Sequence, residues 1–176
     1  TFPHIGNVGV NPDDNEAEKT FAKGVITHLK PYTPSNWRKT DSLNNWLVQK
    51  KIIGLYGLDT RGLTIRLRDK GAINVVICHQ ENCDFDYKKM IKLAKGWSGL
   101  EGLDLAIKVT CDETYNWNQG HWLSPGKNNH SKKNKKIIAI DFGIKKNILR
   151  SLFDFGCEIK VVPATISFKQ IMEYNP

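Results

Sequence analysis

The sequence has no apolar run approaching the ~20 residues needed to cross a bilayer, and its first ten residues, TFPHIGNVGV, carry neither a basic start nor a long apolar core. Membrane insertion and a secretory leader are therefore not expected. An initiator methionine is also missing, which suggests a chain that begins inside a longer one. The four cysteines, at 78, 83, 111 and 157, lack framework spacing, so free thiols in a reducing cytoplasm are the default expectation. A glycine-rich phosphate loop and an HRD catalytic-loop motif are absent too, so Asp141-Phe142-Gly143 does not read as a kinase Mg²⁺ motif.

What is present is an ordinary soluble composition, 40% hydrophobic and 25% charged, with room in 176 residues for one domain and part of another. The net charge of +8 invites a nucleic-acid reading. Five of the positive charges, however, lie in residues 127–136, KNNHSKKNKK, and without them the net charge falls to +3. A solvated basic tether explains this better than a binding groove, since no arginine or aromatic ladder accompanies Trp117 and Trp122. An RNA-binding module on this tether, or a stand-alone interaction domain, is the alternative reading.

The densest structural signal lies in residues 35–78. Asp41 or Ser42 can cap a helix with Leu43, Trp46 and Leu47 on one face, closed by Lys50 and Lys51. Residues 52–56 have strand length. Asp59 or Thr60 can cap a second helix with Leu63 and Leu67 on one face, and Gly71 sits where a left-handed stop is expected. Residues 72–77 are β-branched enough for another strand. Residues 24–29 also have strand composition, and Asp84 can cap a helix over about 85–95 carrying Tyr87, Met90, Ile91 and Ala94 on one face, ended by Gly96. Residues 103–109 fit either a short helix or a buried strand, and Tyr115 and Trp117 alternate as in a short strand.

Past the tether, residues 137–140 form a continuous apolar run, as in a parallel strand covered on both faces. A helix over about 144–155 is expected to place Ile144, Ile148, Leu152 and Phe155 on one face, with Gly156 as its stop. Residues 158–162 make a second strand, and Ser167 or Thr165 can cap a further helix. The result is the start of a βαβ unit, too short to bury a sheet on both faces, so a second domain continuing beyond residue 176 is expected.

Reactive groups are sparse. Cys78-His79 and Cys83 resemble half of a zinc site, but a second pair is lacking because His121 and His130 are too far apart. Cys111 has no near partner, and Cys157 reads as core filler at a helix end. His4 and His121 lack an arguable carboxylate–histidine–nucleophile set. Asp59-Thr60-Arg61 fits either a helix cap with a surface arginine or an intersubunit salt bridge.

Several stretches, taken in order, resemble one family. They are Phe2-Pro3-His4-Ile5-Gly6-Asn7-Val8-Gly9, Ser35-Asn36-Trp37-Arg38, and Asp59-Thr60-Arg61 with Thr64 and Leu67-Arg68-Asp69-Lys70-Gly71. Trp117-Asn118-Gln119-Gly120-His121-Trp122 and the run from Ile140-Asp141-Phe142-Gly143 to Asn147-Ile148-Leu149-Arg150 complete the set. Together they resemble the small, glutamine-hydrolysing subunit of bacterial carbamoyl-phosphate synthetase.

The resemblance implies an α/β protein. Its N-terminal swivelling β/β/α domain would occupy residues 1–126, residues 127–136 would be a basic linker, and residues 137–176 would begin a parallel-sheet class I glutamine amidotransferase domain. It implies a cytoplasmic subunit that hydrolyses L-glutamine through a Cys-His-Glu triad and passes ammonia to a large subunit. That partner would hold ATP and Mg and make carbamoyl phosphate for arginine and pyrimidines. The triad is expected beyond Pro176, leaving no catalytic, cofactor or metal residue in this chain, and neither nucleic acid nor membrane as partner. Asn36, Arg38, Asp59, Arg61 and Arg66 are the candidates for a docking surface or buried pairing.

Overall fold

The computed structural model describes residues 5–122 and 135–176. Packing divides the chain into two units: residues 1–14 with 20–102, and residues 15–19 with 103–176. The fold is mixed α/β throughout.

In the first unit, β1 (Gly24–Ile26) and α1 (Leu43–Gln49) lead into β2 (Ile53–Leu55), which pairs parallel with β1, Val25 opposite Gly54. Ser42 caps α1 by accepting from the Asn45 amide at 3.2 Å. Leu47 is buried against this pair, and a Cβ on Gly54 would stand 3.2 Å from its Cδ1, so the strand is small where the helix comes down.

The second helix, α2 (Thr60–Lys70), is capped by Asp59, whose Oδ1 accepts from the Gly62 amide at 2.9 Å, and it ends at Gly71 with φ +77°. With ψ −168° this is not the left-handed helical stop expected but a positive-φ extended conformation that essentially only glycine adopts. Residues 72–77 do not become the expected strand: they join no ladder among the described residues. β-Branched composition favours an extended backbone, but a strand exists only where another backbone meets it. The third helix, α3 (Tyr87–Gly96), starts later than expected because Asp86, not Asp84, accepts from the Lys89 amide. Of its expected face, Met90 and Ala94 are half-buried, while Tyr87 and Ile91 are exposed.

The second unit is built around a sheet ordered β3-β5-β4, from β3 (Tyr115–Trp117), β4 (Lys135–Asp141) and β5 (Cys157–Pro163). The ambiguous stretch before it is helical, α4 (Ala106–Val109). β4 runs parallel to β5 with α5 (Lys146–Asp154) as the crossover, and β3 is antiparallel to β5. β3 forms as expected, but Tyr115 and Trp117 are two residues apart and so share one face of it. Trp117 is buried and Tyr115, nearer the strand's start, is partly exposed, so the expected alternation between them does not hold. Packing thus places α4 and β3 with β4 and β5, ahead of the basic segment. Residues 127–134 of that segment lie outside the described residues, while Lys135 and Lys136 open β4.

Trp117, Leu149, Cys157, Ile159 and Val161 form the core, flanked by Ile137, Ala139, Ile144, Leu152 and Phe153. The stripe expected on α5 is rotated in the structure. Leu149 is fully buried, whereas Ile148 is exposed and Phe155 is 81% exposed. Ile144 precedes the N-cap Lys145, so it sits in the turn and cannot set the phase of the helix. Gly156 (φ +79°) follows the helix end, and Ser167 caps α6 (Phe168–Glu173) with a reciprocal box to Gln170.

Candidate functional site

In open α/β sheets, ligands gather where parallel strands end at their carboxyl edge. At that edge β4 ends in Asp141, which is 7% exposed, and its Oδ1 accepts from the amides of Gly143 and Ile144, each at 2.8 Å. The turn needs Gly143, whose φ is +92°. A Cβ there would also meet Val109 Cγ2 at 3.1 Å. After β5, the Ala164 amide donates to Thr110 Oγ1 at 2.8 Å, which brings the chain after α4 to the same edge.

Cys111 is half-buried next to that contact. Burial pushes its thiol above 9.0, and the Asp141 charge and a hydrogen bond to Asp141 push it further the same way. Tyr115 is raised above 10.0, first by burial and then by Asp141 and Cys111. A thiol kept protonated first by burial and then by a neighbouring carboxylate is a poor nucleophile. Chemically, this cluster braces a turn.

Beside the core lies a pair that sequence reasoning did not assemble. His121 Nδ1 and Asp154 Oδ2 are 2.6 Å apart, and the same oxygen accepts from the His121 backbone amide at 3.2 Å. Gly120 explains why the Trp-x-Gln-Gly stretch carries glycine: a Cβ there would fall 2.1 Å from Asp154 Oδ1. Gly120→Ala is expected to break this contact and lower stability by about 1–3 kcal/mol. Urea denaturation of the variant against the parent checks this, and no change in midpoint would refute it.

The candidates from the sequence fall into separate places. Asn36 Oδ1 accepts from the Arg38 amide at 2.8 Å, and Arg38 pairs with Asp14 at 3.2 Å and Asp13 at 3.7 Å. That guanidinium is largely covered, so Arg38 is a pairing residue of the first unit. Asp59 is the α2 cap, and Arg61 and Arg66 are exposed on the same helix. Cys157 is core, as expected, Cys78 is half-buried and Cys83 is exposed. Among the described residues, no group of three or more His, Cys, Asp or Glu is placed to hold a metal, and no helix is long and apolar enough to cross a membrane. His4 and His130 lie outside the described residues.

Residues 1–77, which include all five of these candidates, match the family model for the carbamoyl-phosphate synthase small chain, CPSase domain. The whole chain also aligns with curated relatives. It is 41% identical to the carbamoyl phosphate synthase small chain of Ruegeria pomeroyi, covering 100% of this chain and 46% of the relative. The namesake from Zymomonas mobilis is 44% identical, with 100% and 48% covered. The one from Bradyrhizobium diazoefficiens is 45% identical, with 100% and 46% covered. Over its whole length the chain is similar to carbamoyl phosphate synthase small chains. It spans about half the length of the curated relatives it matches. The Asp141 turn and the His121–Asp154 pair lie outside residues 1–77 but inside the stretch shared with those relatives.

Proposed function

We propose that this chain works as part of the glutamine-hydrolysing subunit of carbamoyl-phosphate synthase. The observation that carries the reading is similarity along the entire chain to proteins named carbamoyl phosphate synthase small chain. In this reading a glutamine amide serves as a stable ammonia carrier. A thiolate attacks it while backbone amides hold the oxyanion, and the ammonia passes to a large subunit for assembly with bicarbonate and ATP. The product feeds arginine and pyrimidine synthesis in the cytoplasm. In this reading residues 1–126 correspond to the swivelling β/β/α domain, and residues 137–176, with the parallel β4–α5–β5 unit, to the beginning of the class I amidotransferase domain.

The role assigned to these residues is scaffold and docking surface. Two facts support it: the thiol at the carboxyl edge of the sheet is held protonated, and the buried Cys157 is packed into the core. Exposed Arg61 and Arg66 on α2 are the proposed docking residues for the large subunit. The test is glutamine-dependent carbamoyl phosphate formation by the full-length protein with its large subunit. Cys111→Ser is expected to leave kcat within about twofold, since a thiol held protonated contributes little as a nucleophile. Loss of glutaminase turnover in a folded Cys111→Ser protein would overturn the assignment.

A further inference from the structure

The sequence of α5 conflicts with its own helix dipole. Its N-cap is Lys145, which makes no side-chain cap, its first turn holds no acid, and Lys146 stands at the first helical position. Cations at a helix N-terminus are unfavourable, and an uncapped start leaves amides without partners. The missing anion comes from residues more than a hundred positions away. The backbone carbonyl of Glu16 accepts from the Lys146 amide at 3.0 Å, and its carboxylate accepts from the Asn147 amide at 2.9 Å. Arg150 reaches the other Glu16 oxygen at 3.8 Å and the Asn15 carbonyl at 3.4 Å. Glu18 pairs with Lys146, and Lys19 with Asp112 at 3.3 Å.

Charge and hydrogen bonds do all of this. Residues 15–19 are exposed, and their largest apolar side chain is that of Ala17. The Glu18 side chain is 83% exposed, while the Arg150 side chain beneath the segment is only 12% exposed. The acidic partners of the segment stay open to solvent and no apolar burial backs them. Salt is therefore expected to weaken the attachment, most at the open Lys19–Asp112 pair and least at the covered Arg150.

The course of the chain gives the attachment a consequence. The chain leaves the first unit after Asp14, re-enters it at Thr20 and leaves it again after Gly102. We propose that Asn15–Lys19 is a releasable electrostatic clasp on α5, with Glu16 as its pin. Engaged, it makes three chain crossings join the two units. Released, residues 15–19 become a loop of the first unit, and the crossing after Gly102 alone remains. The clasp therefore sets whether three chain crossings or one connect the units, independently of any catalytic assignment.

The test uses the full-length protein, with tryptic cleavage after Lys19 followed by mass spectrometry and amide exchange followed at Lys146 and Asn147. Glu16→Ala is expected to speed both by about five- to tenfold, the usual effect of losing one good cap. About 1 M NaCl is expected to speed them in the parent protein. Glu16→Gln keeps an acceptor for the Asn147 amide, so its protection should be intermediate and its salt response smaller. Exchange at Ile159 and Val161, in the core, should stay unchanged throughout. Cleavage and exchange that ignore both Glu16→Ala and salt would overturn the proposal. So would core amides accelerating in step, because the segment would then be an integral part of the unit rather than a clasp.

Discussion

Leu149→Ala is expected to destabilise the second unit by about 3 kcal/mol, through lost apolar transfer and the cavity left behind. Leu149 is fully buried and packs in one cluster with Trp117, Ile159 and Val161. At ~1.4 kcal/mol per tenfold, amide exchange of Ile159 and Val161 should accelerate by about a hundredfold if those amides open by unfolding of the unit. Ile148→Ala serves as the contrast. Ile148 is exposed, so the same truncation one position earlier should change stability by no more than ~0.5 kcal/mol. Equal losses in the two variants would contradict the observed orientation of α5. They would restore the face that the sequence pattern alone suggests.

That contrast also shows which features are readable without a structure. Caps and stops are local, so residue types narrow them to near neighbours. Of Asp41 or Ser42, Asp59 or Thr60, and Thr165 or Ser167, the structure uses Ser42, Asp59 and Ser167. Gly71 and Gly156 follow their helices, and the cap expected at Asp84 falls two residues later at Asp86. The buried strand β5 is legible too, because its apolar residues follow a helix stop at strand length. Features that depend on distant partners are not. Residues 72–77 look like a strand, but composition cannot reveal whether a neighbouring backbone is available. The phase of α5 is hidden from the sequence pattern because Ile144, which matches its apolar spacing, precedes a helix that begins at Lys146.

The same distinction holds at the candidate sites. Asp141-Phe142-Gly143 reads as a turn from its residues, but Cys111 lies thirty positions upstream and reaches it only through the fold. The His121–Asp154 pair spans thirty-three positions, and Glu16 meets the Asn147 amide across 131. The resemblance carried by the ordered motifs needs none of these contacts, since it rests on local stretches and their order.

Asp141→Ala is expected to cost the second unit about 2–4 kcal/mol, because two backbone amides lose a buried charged acceptor, each such bond being worth ~1.5–3 kcal/mol less the relaxation of the turn. Asp141→Asn separates charge from geometry: Oδ1 can still accept from Gly143 and Ile144, while the negative charge beside Cys111 and Tyr115 is gone. Stability against pH then reads the charge directly. Cys111 and Tyr115 both have their pKa raised in the folded protein, by burial first and by Asp141 next. As pH rises past 9.0, the unfolded thiol gives up its proton while the folded one keeps it. The folded state then binds more protons, so stability present below that pH is lost as pH climbs through the folded value. Tyr115 adds to the same slope above 10.0. With Asp141→Asn the part of both shifts due to charge disappears and the part due to burial stays, so the alkaline loss should become shallower without vanishing. Thiolate absorbance should show the Cys111 titration moving down towards its ordinary range in the variant. An unmoved titration and an unchanged alkaline slope would mean that Asp141 does not face this thiol, and the bracing role given to the cluster would fail with it.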